Sequence, residues 1–587
     1  MRLIEELRRR RVFRISALYI VAAWVVLQVA DLAFESWGLP KQDLRFIWIA
    51  AILLFPLAAL FAWRYDITPQ GIVRTPVRGD DETIPLALER ADFILLFALA
   101  LVGIAIAYST VNKVVSTPGP NDQSLVVLPF ETFSSVAEDE LLADGLTEEL
   151  IHALARVPAL KVIGRTSSFE FKNRNDDLRS IGKVLGVANV LEGSVRRSGS
   201  QLRITAQLVS TTDGFHRWSR TYDRTISDVL AIQDDIARNV VDALRVELLG
   251  EPMRVESATE IDPEAYALYL RAVALSPYGA AAGLAEAQEL IEQVIELDPD
   301  FAPAWTRLAA IHGRRLFFRD PEYPNPVAKA IVIIMGAVER ARELDPNYAE
   351  VYAALAGIAW IFESDEAKAA PLIELALELD PSDLETIRFS IDFALSLERF
   401  PAAIELSERL VEREPLCVSC RVQLAKLYRV TQRWSDAETQ IRTLRTMGEA
   451  GFHWSLGVVL LHQGRAEESL VSFEKQQAPD YLRLQGLALA WHDLGDQGKS
   501  AAALDTLEQD WGDQQPITLA QTYAYVGQTD AAFDALHAIL PDNVATLQTE
   551  YSEPLFNKLH SDPRWAELML RIGRAPEQID RIPFAPP

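Results

Sequence analysis

Three constellations of side chains in this sequence could do chemistry, and the neighbours of each decide whether they do. Cys417-Val418-Ser419-Cys420 sets the two cysteines of the chain three residues apart at the start of a predicted helix after Pro415. On a helix that spacing leaves the Cα atoms about 5 Å apart, within disulfide reach. A local bridge, which an oxidising compartment favours, and a pair of free thiols are both open at this point. A thiol-redox enzyme is not indicated, because the surrounding helical pattern is the wrong fold and a lone CxxC is weak evidence. Gly495-Asp496-Gln497-Gly498-Lys499-Ser500 imitates the end of a phosphate-binding loop. Its first glycine is one residue too close and no strand precedes it, so it reads as a turn between helices. Arg196, Arg197, Arg203, Arg217, Arg220 and Arg224 cluster on three predicted strands. They could form an anion- or partner-binding face, or simply the solvated side of an antiparallel sheet. The eight histidines make no HExxH pair, and no GxSxG elbow occurs. The sequence therefore assigns no catalytic residue, no cofactor and no metal ligands.

The arginines depend on a compact α/β module. Leu125-Val126-Val127-Leu128-Pro129-Phe130 is a run of apolar residues that predicts a buried strand. From about Asp139, Leu142, Leu146, Leu150 and Leu154 with Ile151 form one helical stripe. Leu160 to Ile163 predicts a second strand, and Leu178 to Leu185 a second helix stopped by Gly186. Val190 to Arg197, Leu202 to Ser210 and Phe215 to Arg224 then predict an antiparallel meander turning at Gly199 and Asp213-Gly214. A last helix runs from Asp228 to Leu249.

Ahead of this module lie three apolar runs, 13–34, 46–63 and 93–110, each near the length needed to cross a hydrocarbon core, with Trp37, Trp48, Trp63 and Tyr108 at or near their ends. The length of the first run, Asp31 near its end and the second run close behind argue against a cleaved signal peptide. Arg8, Arg9, Arg10 and Arg11 precede the first run and Arg14 lies at its start, and Arg74, Arg78 and Arg90 lie between the second and third. The positive-inside rule then places the amino terminus in the cytoplasm and, after an odd number of spans, everything beyond about residue 110 in the periplasm of a bacterium. The lipid bilayer is thus one expected partner, and residues 116–122, with Pro118-Gly119-Pro120, are a stiff tether. The net charge of −26 resides mostly beyond residue 250. Counterion release needs clustered Lys and Arg, so nucleic acid is excluded as a partner.

Several motifs of the central module resemble, in order, the TolB-amino-terminal-like (FlgO-like) domain. They are Val127-Leu128-Pro129-Phe130, Ala143-Asp144-Gly145-Leu146-Thr147-Glu148, Arg165-Thr166-Ser167-Ser168-Phe169, Leu191-Glu192-Gly193-Ser194-Val195-Arg196, Thr205-Ala206-Gln207-Leu208 and Trp218-Ser219-Arg220-Thr221-Tyr222-Asp223-Arg224. The resemblance implies an α/β domain that bacteria often join to tetratricopeptide repeats, sometimes behind a CadC-like winged helix for which the membrane segments leave no room. Some relatives of this layout carry adenylate-cyclase labels. A class III cyclase needs two metal-binding carboxylates on strand ends, whereas Asp144 falls on a predicted helix with no partner.

Ala369, Ala403 and Ala437 recur every 34 residues, and Pro346, Pro381 and Pro415 each follow an acidic residue at a helix end. This region, 260–575 with its cap, resembles the tetratricopeptide repeats, with seven or eight units expected. Such units stack into a superhelix whose groove takes a protein or peptide ligand. The sequence therefore predicts a multidomain chain: an α-helical membrane anchor (1–115), the linker, an α/β TolB-N/FlgO-like domain (123–250) and an all-α TPR superhelix. The expected role is a non-enzymatic periplasmic scaffold or assembly factor. The alternatives are a transmembrane sensor of the CadC-like kind lacking its DNA-binding domain, and a nucleotide cyclase.

Overall fold

The computed structural model describes residues 65–68, 71–74 and most of 123–587, the exceptions being 135, 226–227, 245–260, 278–280, 324, 449–450, 541–546, 549 and 580. The chain divides into two compact units, Met1–Gly119 and Pro120–Pro587. In the first, β1 (Tyr65–Thr68) and β2 (Gly71–Arg74) pair antiparallel from Tyr65↔Arg74 to Thr68↔Gly71, within what the sequence presents as a connection between spans. The three predicted spans lie outside the described residues. Among the described residues no helix is long and apolar enough to cross a membrane.

The second unit opens with a mixed sheet built from β3 (Ser124–Val127), β4 (Glu131–Thr132), β5 (Lys161–Val162), β6 (Asn189–Ser198), β7 (Gln201–Ser210) and β8 (His216–Thr225), in the order β5-β3-β6-β7-β8. β3 is parallel to β5 and β6, while β6, β7 and β8 form the antiparallel meander. The strand predicted over Leu125 to Phe130 is corrected here, because it stops at Val127. Pro129 has no N–H to give to a ladder, and the N–H of Phe130 goes instead to Thr147 Oγ1 at 3.0 Å. Pairing with β6 resumes one step later, as β4 opposite Ser194 and Val195.

Helix α1 (Ala137–Ala155) carries Glu138, Asp139 and Glu140 in its first turn, where the helix dipole favours negative charge. Its stripe Leu142, Leu146, Leu150 and Leu154 is buried against the sheet. α2 (Arg165–Phe169) leads to Phe171, which with α3 (Leu178–Leu185, ended by Gly186 at φ 69°) supplies the core on the opposite face, around Val126, Ile163, Ile181 and Val190. α4 (Val229–Ala243) packs beside α1 through Ile232, Ile236 and Val240.

Among the described residues eight helix pairs follow. They are α5 (Pro263–Leu275) with α6 (Leu284–Leu297), α7 (Ala302–Phe317) with α8 (Val327–Leu344), α9 (Ala349–Gly357) with α10 (Glu366–Leu379), and α11 (Leu384–Ser396) with α12 (Phe400–Arg413). Next come α13 (Val418–Val430) with α14 (Trp434–Thr446), α15 (His453–His462) with α16 (Ala466–Glu474), α17 (Asp480–Asp493) with α18 (Gln497–Trp511), and α19 (Pro516–Val526) with α20 (Thr529–Ile539). A π-turn, Ile358–Phe362, prolongs α9. Asp298, Asp345, Asp380 and Glu414 cap the second helices of the first four pairs in extended or non-helical conformations. The proline after each explains why, since a residue before proline is pushed out of the helical region. Ala369, Ala403 and Ala437 are fully buried where paired helices touch. A 3₁₀ turn (Pro554–Leu559), α21 (Pro563–Arg571) and α22 (Pro576–Ile579) close the chain.

One hydrophobic cluster runs without a break from Leu125 on β3 through α1 and α4 to Ile358 beyond α9. Module and array therefore share a core, a property that neither segment's periodicity could announce.

Candidate interaction site

The module is held by the array at two places. At the first, α5 lies across α1 so closely that a Cβ placed on Gly145 would sit 2.1 Å from the carbonyl oxygen of Leu270. Only a residue without a side chain allows that approach. Tyr266, Tyr269 and Phe301 form an aromatic cluster around the crossing, with Tyr269 edge-on to Phe301 at 5.0 Å between ring centres. The Tyr266 hydroxyl donates to Gln233 on α4.

Along α1 and its C-cap, Glu149, His152 and Arg156 follow Gly145 at helical spacing and come within electrostatic reach of residues from the first helices of successive pairs: Arg307 on α7, Glu350 on α9, and Asp383 and Glu385 at the start of α11. Arg156 reaches Asp380 at 3.2 Å and Arg314 reaches Glu385 at 2.9 Å. Burial raises the Glu149 carboxyl against the pull of His152 and Arg307. Burial also opposes charge on His152, but Glu149, Glu148, Asp383 and Glu350 outweigh it and raise the imidazole above its ordinary value. Asp383 is raised to about 6 by burial, then by Glu350 and Glu385, although it caps α11 by accepting from Thr386 N at 2.8 Å. For Glu385, Arg314, Arg307 and His152 overcome the cost of burial and hold the carboxyl low. The row is a charged seam rather than an apolar groove, and it is already filled by the chain's own helix.

The second place is the turn Arg413-Glu414-Pro415-Leu416, docked on β5 and α2. The Glu414 carboxylate is buried and accepts from the backbone N–H groups of Thr166 at 3.1 Å and Ser167 at 2.7 Å. Gly164 N donates to Arg413 O at 2.8 Å, Leu416 N donates to Ser167 Oγ at 3.0 Å, and Arg413 Nε donates to Val162 O. Arg388 adds contacts to Thr166 Oγ1 at 3.5 Å and to Glu414 at 3.7 Å. A Cβ on Gly164 would lie 2.5 Å from Glu414 Oε1. The Arg165–Phe169 motif thus presents backbone donors to the array. Beside this contact a cleft of 570 Å³ opens between α2, α3 and the fifth pair, lined by residues that include Arg174, Asp176, Arg421 and Met447.

Sequence reasoning singled out other residues. Cys417 and Cys420 follow this docking turn directly and are joined, with Sγ atoms 2.00 Å and Cα atoms 5.4 Å apart. Arg388 Nη1 lies 2.9 Å from Cys420 Sγ, so the pair sits under the contact with Glu414. The six arginines do not make one face. Arg196 and Arg203 share a row on the solvent side of the meander with Asp223, which Arg203 binds at 2.6 Å. Arg197 and Arg224 share the row of buried Leu202 at its end, with Arg197 turned to Asp139 at 3.5 Å. Arg220 is in the row of Ala206 and pairs with Asp235 on α4 at 2.8 Å, and Arg217 lies at the bulge of β8. The strand period of two divides a set that looks continuous in sequence. In the loop-like motif, Asp496 caps α18 and Lys499 turns back onto it at 3.0 Å and over the Trp491 ring. Asp144 is on α1, where Lys172 pairs with it at 2.6 Å. Among the described residues no three His, Cys, Asp or Glu side chains converge as a metal site.

Glu414, Gly145, Glu149, His152 and Asp383 were not singled out by sequence reasoning for this role. The one signal available was that Gly145 interrupts a helical stripe of good helix formers.

No protein-family model matches the chain. A Rhizobium meliloti (strain 1021) protein named "Putative adenylate cyclase 3" is 37% identical over 255 residues, which is 43% of this chain and 43% of that protein. The chain thus spans less than half the length of that relative. Among solved structures, PilF of Pseudomonas aeruginosa (12% identity, TM-score 0.28) overlaps 37% of this chain and 94% of its own. YrrB, described as a TPR protein with an unusual peptide-binding site (17%, 0.27), overlaps 37% and 99%, and the type IV pilus biogenesis factor PilW (14%, 0.24) overlaps 40% and 89%. Superpositions this partial carry no argument about partners. The helix-pair array stands on its own 34-residue period and on the eight pairs described above.

Proposed function

We propose that the chain is a non-enzymatic scaffold, anchored in a bacterial inner membrane by the three apolar runs, that presents the module and the array to the periplasm as one body. The observation that carries this reading is the continuous core from Leu125 to Ile358, together with the Glu414 contact. An enzyme that moves domains over a substrate needs a hinge, whereas here the second, third and fourth pairs hold the module through the charged seam and the first holds it through the Gly145 crossing. The partner then meets surfaces outside that seam. The TolB-N/FlgO-like resemblance of residues 127–224 fits such an adaptor. The test is topological and biochemical together. In intact spheroplasts, external protease is expected to cut residues 120–587, and crosslinking in membranes is expected to capture a protein partner through them. Protection of the whole segment from protease would overturn the periplasmic placement.

The name of the Rhizobium relative supports a second reading, nucleotide cyclisation. Its match leaves more than half of that protein outside the comparison, and in this chain Asp144 is committed to Lys172. Purified full chain given ATP with Mg²⁺ or Mn²⁺ is expected to make no cyclic AMP, and measurable turnover would establish the enzyme instead.

A further inference from the structure

The last residues of the chain form a contact unlike the rest of the cap. Arg581 to Pro587 have no helix or strand, and burial along them falls on one residue: Phe584 is 6% exposed, Ile582 and Pro586 are half-buried, and Arg581, Pro583, Ala585 and Pro587 are exposed. The Phe584 ring stands edge-on to Phe393 of α11 at 5.1 Å between centres, and Trp360 flanks Phe393 at 5.3 Å. Around this anchor the third and fourth pairs address the segment's backbone, not its side chains. Arg399 Nη2 donates to Ile582 O at 2.8 Å, Ala585 N donates to Glu374 Oε1 at 2.7 Å, and Arg409 Nη1 donates to Pro587 O at 3.3 Å. Three prolines among the last five residues remove N–H groups and hold the chain open.

One aromatic anchor, main-chain hydrogen bonds on both sides and proline stiffening make up the chemistry by which an extended peptide is read at low entropic cost. We infer that the face formed by Trp360, Glu374, Phe393, Arg399 and Arg409 is a binding site for an extended, proline-containing peptide with a buried aromatic residue. The chain's own residues 582–587 occupy it in cis and are displaced by a partner segment of the same chemistry. The site is separate from the seam that holds the module. The inference rests on the scaffold reading only for the existence of a partner, and the binding experiment below involves no membrane orientation, so either can fail alone.

The probe is a fluorescent peptide of the sequence Gln578 to Pro587, titrated against the full chain in detergent and followed by anisotropy. A segment tethered in cis competes at an effective concentration on the order of millimolar. The peptide is therefore expected to bind Phe584→Ala at least tenfold tighter than the unaltered chain. Adding Glu374→Ala or Arg399→Ala to that variant should weaken binding about tenfold, and a peptide with alanine in place of its phenylalanine should not bind. Equal binding to the unaltered chain and Phe584→Ala would overturn displacement. Absence of binding to a Phe584→Ala chain that melts at the unaltered temperature would overturn the site. Should Phe584→Ala lower the melting temperature, Glu374→Ala alone, with the anchor kept, weakens the cis segment and the probe alike and must therefore leave probe binding close to that of the unaltered chain; an increase as large as that in Phe584→Ala would overturn the assignment of the backbone contact.

Discussion

Substituting Gly145 by alanine tests whether the module is truly seated on the array. For an isolated helix the change is favourable by about 1 kcal/mol, because alanine gives up less backbone freedom than glycine. In this chain the new methyl would fall 2.1 Å from Leu270 O, 2.6 Å from its carbonyl carbon and 2.9 Å from its Cα. The obstacle is backbone, which cannot rotate aside, so α1 and α5 must separate by roughly 1 Å to restore ordinary contact. Overpacking of this kind costs about 1 to 3 kcal/mol, and a backbone obstacle belongs at the upper end. Tyr269 and Leu270 are nearly fully buried in the same crossing and lose contact as it opens. The net expectation is a loss of about 2 kcal/mol at the interface. Read by hydrogen exchange, that corresponds to roughly 30-fold faster exchange of the α5 amides wherever exchange follows local opening. Gly186→Ala is the control: that glycine is at φ 69° with nothing within 4 Å of an added Cβ, so it should strain the end of α3 and leave α5 protection unchanged. Slower or unaltered exchange of α5 in Gly145→Ala would refute the seating, since helix propensity alone would then have decided the outcome.

Stability of the second unit should vary with pH in a direction set by the charged seam. Asp383 has its carboxyl raised to about 6, so folding takes up a proton there and this contribution falls as pH rises from about 4 to 6. His152 is also raised, so its contribution is full below the free imidazole's value and is lost as pH rises through the folded one. Glu385 is lowered, so its contribution is lost only as pH falls below the ordinary carboxylate range. Urea midpoints should therefore be highest near pH 5 and decline towards pH 8. Asp383→Asn, which keeps the cap, should flatten the slope between pH 4 and 6 and raise the midpoint at pH 7; an unchanged profile would remove Asp383 from the seam. Glu414→Ala should cost about 2 to 4 kcal/mol, because it leaves the N–H groups of Thr166 and Ser167 without their buried acceptor, and Glu414→Gln should cost less. Faster amide exchange at both residues is the readout, and unaltered exchange would mean that the turn does not dock. Alkylation of native protein followed by mass spectrometry should leave Cys417 and Cys420 unlabelled until reductant is added, and two labelled thiols without reductant would rule out the bridge.

Local features were legible in the sequence wherever one physical rule acted alone. The leucine stripe of α1, the stop at Gly186, the meander turns and the proline-closed repeats all follow from periodicity or backbone restriction within a few residues. The strand over Leu125 to Phe130 was misread at its end, because a side chain seventeen residues away, Thr147, takes the N–H that a ladder would have used. The arginine set was left with two readings for a related reason. Sequence shows that six cations are near each other, but pairing register decides which face each one occupies.

Composition and spacing alone determined that this is a multidomain chain with an apolar amino-terminal region, a small α/β module and an array of helix pairs. Only the tertiary structure decided what the array does with its first four pairs. Glu414 and Ser167 are 247 residues apart, and Gly145 is brought onto the backbone of Leu270, about half that separation along the chain. Neither contact has a period or a motif. Each exists because surfaces from distant parts of the chain match in charge and in the room left by a missing side chain. Such a match is a property of shapes in contact, which no local pattern in a sequence encodes.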